Sequence, residues 1–342
     1  MSDKDKINNQ PESSPDPKDS VIPSKKSLAI ASISFLIILG IVITGSAIFA
    51  GRNSVDFTSQ DAIGGYPFTV HFNYDISNIK DSVFTDFGWE DETHLPMDES
   101  MISYHYPIAG EFKVLVYTRD KILDSLRVIS CTDDWIGGQY PNGKPELFEP
   151  FLDQSIFRQE SVFYAPIEDL AETQSNQTES NWTAYKLLYP QNVQLDKMTL
   201  ETRVLNNAST GSSLCHNTGI RLIGKEGLVD FHFTHEDCSR YAKFRLSEKF
   251  LDGQFDDLDA LSVDLSDWLD IRIEIERNEL KLFLSDELIF KESYLEPLGM
   301  LVGVGYKFFG SGKIDNLSVK NSAGESVYSY DFAADSTELT GL

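Results

Sequence analysis

Ile271, Ile273 and Ile275 alternate with Arg272, Glu274 and Glu276; after Arg277-Asn278 the alternation resumes as Leu280, Leu282 and Leu284 against Lys281 and Phe283. Successive side chains on a strand point to opposite faces, so this period of two puts all six aliphatic residues on one side. The two-residue polar break turns the pair of runs into a hairpin. Such a hairpin must bury one face against another layer. The pattern recurs in Met198-Leu200-Thr202-Val204, Val229-Phe231-Phe233 and Val302-Val304-Tyr306-Phe308, and beyond residue 60 no long run has helical period. Short strands punctuated by Gly, Asn and Asp predict an all-β chain of stacked sheets.

The exception comes early. Ser27–Ala50 carries no charged residue. About 20 apolar residues span a bilayer core as a helix, whose backbone groups are all bonded internally. Lys25 and Lys26 precede the run and only Arg52 follows closely. This bias predicts a single transmembrane helix over 27–50, a cytoplasmic N-terminus and an extracytoplasmic bulk, periplasmic or extracellular. Gly45-Ser46-Ala47 offers a cleavage site, but the run exceeds a signal-peptide core of ~7–15 residues and its leader is long, so an uncleaved anchor fits better. Residues 1–26, rich in Pro, Ser, Asp and Lys, read as a disordered tail.

The formal net charge is -25, and the first fifty residues hold five Lys and five acidic groups, so the excess lies in 51–342. A body this acidic repels phosphate backbones, which argues against nucleic acid as a partner. Gly310-Ser311-Gly312-Lys313 joins strand to strand and opens no helix, so it is not a nucleotide cradle.

Two stretches resemble known families. Within 60–132, Pro67-Phe68-Thr69-Val70-His71-Phe72, Asp86-Phe87-Gly88 and His105-Tyr106-Pro107-Ile108-Ala109-Gly110-Glu111-Phe112-Lys113-Val114 resemble the PKD-type domain, with Thr85 where that family has Trp. The resemblance implies a small immunoglobulin-like sandwich whose motif residues hold the fold and do no chemistry. Residues 133–155 read as a connection. Over 156–334, Leu200-Glu201-Thr202-Arg203-Val204, Gly219-Ile220-Arg221-Leu222-Ile223-Gly224, Trp268, Gly303-Val304-Gly305-Tyr306 and Gly310 to Leu317 resemble the concanavalin-like jelly roll of lectins, laminin-G modules and some glucanases. This implies two curved antiparallel sheets and a concave face that many relatives use for glycans. A glycan or a protein ligand is therefore expected, with no cofactor unless calcium.

A glucanase would need paired carboxylates on one strand. The nearest run, Glu274-Ile275-Glu276-Arg277-Asn278-Glu279, enters the hairpin turn, so these residues read as solvent-facing charges and no catalytic residue is assigned. Trp135, in the connection, and Trp182, beside a polar stretch, are the candidates to stack on a sugar; Trp268 reads as core. Cys215 and Cys238 flank a strand region, and an oxidising compartment would pair them, leaving Cys131. His216, His232 and His235 lie near both cysteines, but their spacing fits no zinc finger, and a disulfide with surface histidines is the preferred reading. Asp252, Asp256, Asp257 and Asp259 around Gly253 form an oxygen-rich loop that could take calcium.

Overall fold

The computed structural model describes residues 55–89, 92–140, 148–151, 153–154, 158–159, 162–165, 182–206, 215, 218–310 and 312–330. The expected tail at 1–26, the anchor at 27–50 and His216 lie outside them. Among the described residues no helix is long and apolar enough to cross a membrane.

The chain is all-β. Its first body uses β1 (Asp56–Ser59), β2 (Ile63–Gly65), β3 (Phe68–Asp75), β4 (Phe84–Asp86), β5 (Thr93–His94), β6 (Met101–Tyr106), β7 (Gly110–Tyr117) and β8 (Ile122–Cys131). They make two sheets, β1-β3-β6 and β2-β8-β7-β4-β5. Alternation along β3 and β7 sends Val70, Phe72, Phe112, Val114 and Val116 inward, where they meet Phe57, Phe87 and Tyr106. The Asp86-Phe87-Gly88 run is a turn. The Asp86 carboxylate accepts from the Gly88 amide at 2.7 Å, and Gly88 has φ +78° with the Lys113 backbone 3.0 Å from where a Cβ would sit, so a side chain there is both strained and crowded. The buried Tyr106 hydroxyl donates to the Phe87 carbonyl at 3.1 Å.

The second body is larger. Its strands are β9 (Ile136–Tyr140), β10 (Glu149–Pro150), β11 (Arg158–Gln159), β12 (Val162–Phe163), β13 (Trp182–Leu187), β14 (Met198–Leu205), β15 (Thr218–Gly224), β16 (Leu228–Phe233), β17 (Lys243–Leu246), β18 (Lys249–Asp252), β19 (Leu269–Glu276), β20 (Glu279–Leu284), β21 (Glu287–Ser293), β22 (Leu301–Phe309), β23 (Lys313–Asn321) and β24 (Ser326–Tyr330). One sheet runs β10-β9-β13-β22-β15-β16-β17-β18 and the other β11-β12-β23-β14-β19-β20-β21, with β24 also on β23. Between them lies one core, to which the isoleucines of β19, the leucines of β20, and Phe231, Phe233, Tyr306 and Phe308 all contribute. The predicted hairpin is β19–β20, paired Ile271↔Leu284 through Glu276↔Glu279, and its turn residues Arg277 and Asn278 both take positive φ.

Two expectations are corrected. The stretch 133–155 is not a mere connection: β9 and β10 are strands of the large sandwich, paired to β13 and to each other. Gly137 and Gly138 gave it the look of a loop, but Gly138 is bare because Phe148 and the Glu149 carbonyl fill the space of its missing side chain. The first body also begins earlier than residue 60, since Phe57 on β1 is core.

The two sandwiches are joined closely. Ile63, Ile129 and Cys131 of the first pack against Leu188, Ile223 and Val302 of the second. Arg127 donates to the carbonyls of Gly224 and Gly227 at 2.9 and 3.1 Å. The Thr132 amide donates to Leu188 O at 2.7 Å, and the Leu188 amide donates to Thr132 Oγ1 at 2.9 Å.

Candidate functional site

A cavity of about 330 Å³ opens between the sandwiches. Its floor is the outer face of the first large sheet, the side pointing away from the core. Register fixes what that face presents. One row across the strands reads Lys186, Gly305, Arg221, Asp230. The next reads Gly138, Ala184, Lys307, Gly219, His232. A third sets Tyr140 beside Trp182, whose ring also meets Phe309 edge-on at 5.5 Å and His232 at 5.7 Å. The small residues leave room. A Cβ on Gly305 would meet nothing nearer than 3.7 Å, whereas one on Gly219 would strike the Lys307 stem, which lies flat across it. The roof comes from the first sandwich: the Gly88-Trp89 turn and the start of β7, including Glu111.

Charged side chains knit roof to floor. Arg221 reaches Asp230 at 2.6 Å and Glu111 at 3.3 Å, and Arg127 reaches the other Glu111 oxygen at 3.1 Å. Glu111 and Asp230 expose only 16% and 15% of their side chains, so these are pairs largely withdrawn from water. Burial opposes the charge on Asp230, but Arg221 outweighs it and holds the carboxyl below its ordinary range. Burial likewise opposes the Arg221 charge; Asp230 and Glu111 reverse the balance and bind its proton more firmly than usual.

The other cations are less well served. Lys186 donates to Ala109 O at 3.4 Å and lies 3.6 Å over the Phe148 ring. Burial pushes its ammonium down to about 7, against the pull of Glu111 and helped by Arg221. Lys307 comes no nearer than 3.9 Å to an Asp230 oxygen, and burial lowers its pKa too. Burial, with Lys307 beside it, pushes His232 down to about 3, so that imidazole is neutral at physiological pH. Tyr140 is raised to about 12 by burial.

Of the expected site residues, Trp182 stands on this face, two residues along β13 from Ala184. Trp135 does not. It is 1% exposed, packs in the core against Phe163 and Tyr306, and donates its indole N–H to Tyr328 Oη at 3.1 Å. Trp135 stands just before β9, on the inward side of its sheet, whatever the polarity of the residues around it. Trp268 is half-buried with the Arg203 guanidinium 5.3 Å from its ring. Cys215 and Cys238 are joined, Cα–Cα 5.7 Å, and Cys131 is a buried free thiol raised to about 11 by burial.

The acidic loop is built for turns. Asp252 accepts from the Gln254 amide, Asp256 from the Asp252 amide and Asp257 from the Asp259 amide. Among the described residues, Asp252, Asp256, Asp257 and Asp259 included, no three His, Cys, Asp or Glu side chains are grouped to hold a metal. Glu274, Glu276 and Glu279 lie away from the cavity, each beside a cation: Arg272, Arg277 and Lys291.

Lys186, Arg221, Asp230, Lys307 and Glu111 were not singled out from the sequence. Each looks like the solvent-facing half of an alternating strand. The one available signal was the interleaved glycine, at Gly219, Gly303 and Gly305, which thins one face of adjoining strands.

No protein-family model matches the chain, and no curated protein does. Among solved structures it is similar to a carbohydrate-binding module from Bacillus subtilis (10% identity, 42% of this chain and 89% of that one, TM-score 0.27). A β-glucanase from Bacillus licheniformis gives 6% identity over 41% and 72%, TM-score 0.27. Chicken galectin 2 gives 11% over 40% and 99%, TM-score 0.27. Likenesses of this extent carry no functional meaning for this chain.

Proposed function

We propose that the chain is a non-catalytic binding protein, held to a membrane by residues 27–50 with its sandwiches outside the cytoplasm, that takes a carbohydrate in the cavity between them. The observation that carries this reading is the thinned floor. Gly305 and, on the next row, Ala184 leave open floor beneath a rim of polar and aromatic side chains, so a flat, hydroxyl-rich ring has both a surface to lie on and groups to bond. The PKD-like reading of the first sandwich also belongs here, with a change of role: its Gly88 turn and the start of β7 roof the site. A glycan array probed with the full chain tests the reading, alongside Gly305→Leu, which fills the floor. Binding that Gly305→Leu abolishes at unchanged melting temperature is the expected result. An array without signal, or binding indifferent to Gly305→Leu, overturns it.

A second reading, a protein ligand, draws on a different corner. Phe255 is 86% exposed, and its turn is bonded back through the Gly253 amide to Ala242 O, next to the exposed Tyr241. Loss of a cross-linked surface protein on Phe255→Ser, with glycan binding intact, would favour it.

A further inference from the structure

We propose that the sugar is an acidic one: the cavity takes a saccharide bearing a carboxylate or sulfate, with Lys186 and Lys307 supplying the countercharge and Asp230 accepting a hydroxyl. The inference rests on the carbohydrate reading above and narrows it. Charge balance inside the cleft is its basis. Two carboxylates, Glu111 and Asp230, are matched by two guanidiniums, Arg127 and Arg221, at contacts of 2.6 to 3.3 Å. Lys186 and Lys307 are then surplus. Among the described residues the Lys186 ammonium has a carbonyl and a ring beside it, and that of Lys307 stands 3.9 Å from its nearest carboxylate, beyond a hydrogen bond. Two ammoniums with no hydrogen-bonded carboxylate among the described residues are unexpected in a chain of net charge -25, where acidic groups to neutralise them abound.

Register makes the two lysines diagonal neighbours. Lys186 pairs with Gly305 and Ala184 with Lys307 on adjoining strands, which sets the two lysines ~7–8 Å apart, within reach of long side chains. They therefore serve one ligand. Asp230 supplies the second half of the case. Its Oδ1 is buried and accepts no hydrogen bond from the described residues. A buried acceptor without a donor is costly, and a ligand O–H satisfies it. A simple inorganic anion would bring the lysines a counter-ion but offer Asp230 only repulsion. A polyhydroxylated ring carrying an anionic group answers both demands. The lowered pKa of Lys186 agrees, since burial depresses it by more than the pull of Glu111 restores.

Titration calorimetry of the full chain tests this with four probes: trigalacturonate, neutral galactotriose, a sulfated galactotriose and inorganic sulfate. Trigalacturonate or its sulfated counterpart is expected to bind about tenfold tighter than the neutral trisaccharide, the size of one charge-assisted contact of about 1.4 kcal/mol. The two acidic probes distinguish carboxylate from sulfate as the group preferred. Added salt should erode the advantage. Lys186→Met and Lys307→Met should each remove most of it, Lys186→Arg should retain part, and melting curves report whether each variant folds; the acidic-to-neutral comparison on the unaltered chain stands without them. Equal affinity for neutral and acidic trisaccharides would overturn the acidic inference and leave the carbohydrate reading intact. Inorganic sulfate competing on equal terms would remove the hydroxyl role of Asp230. Silence from all the saccharides, with a silent array, would bring down the carbohydrate reading itself.

Discussion

The two sheets of the large sandwich bury the same kind of aliphatic stripe, yet their outer faces handle charge in opposite ways. On the sheet containing β14, β19 and β20, cations and carboxylates pair at the surface: Lys320 with Glu201, Arg203 with Asp270, Arg272 with Glu274. Charged groups of this sheet are well exposed, Asp270 at 64% and Glu276, beside Arg277, at 66%. On the sheet containing β13, β15 and β22, glycines thin the face, a second sandwich covers it, and Glu111 and Asp230 are largely sealed from water. Identical residue types thus form a solvated coat on one side and a costly, specific site on the other. What differs is not the charges but whether anything sits above them.

Breaking the covered network should show the contrast most sharply. Arg221→Leu takes from the buried Asp230 its close cation and from Glu111 one of its two guanidiniums, and about 3–5 kcal/mol of stability should be lost in a urea titration; a loss under 1 kcal/mol would mean that the face is as wet as its opposite. Next in size comes Lys186→Met. The folded pKa of Lys186 is about 7 against a reference of 10.5. The unfolded chain therefore holds the extra proton between those values. The native state carries the full penalty below pH 7 and sheds it as pH rises towards 10.5. The variant should be more stable than the parent at pH 6, on the order of 2 kcal/mol, with the gain fading above pH 7; a gain that grew with pH would contradict this.

His232 sharpens the same comparison in acid. Its folded pKa of about 3 lies below 6.5, so stability should fall as pH drops through that window. Roughly 1 kcal/mol should go between pH 6.5 and 5.5, and His232→Phe should flatten that slope in melting curves. Smallest is the control on the open face. Arg272→Ala removes a contact to Glu274 and should change stability by less than about 1 kcal/mol. A larger cost would erase the distinction between the faces.

Much of the architecture was readable from alternation alone, because a buried stripe repeats along every strand. The β19–β20 hairpin and the inward set of β22 follow from it directly. The cysteine pair was also open to reading, from compartment and position. Two kinds of information were not. Trp135 misled because the sequence shows which neighbours are polar but not that Ile136 will pair with Lys186 across a sheet. The cavity residues were invisible for a deeper reason. Lys186, Arg221 and Asp230 obey the outward rule for a strand, and only the docking of the first sandwich converts outward into enclosed. That docking is set by side chains about a hundred residues away, such as Arg127 on the carbonyls of Gly224 and Gly227.

The same join bears on how the proposed site could be reached. Because β8 runs straight into the bonded pair Thr132–Leu188, with Ile129 and Cys131 wedged beside it, the two bodies share no slack peptide about which to swivel. On the reading proposed above, a saccharide would enter a cleft whose two walls are already bonded to each other, so selection would work by calibre and by the charges at the lip, with little ordering left to do on arrival.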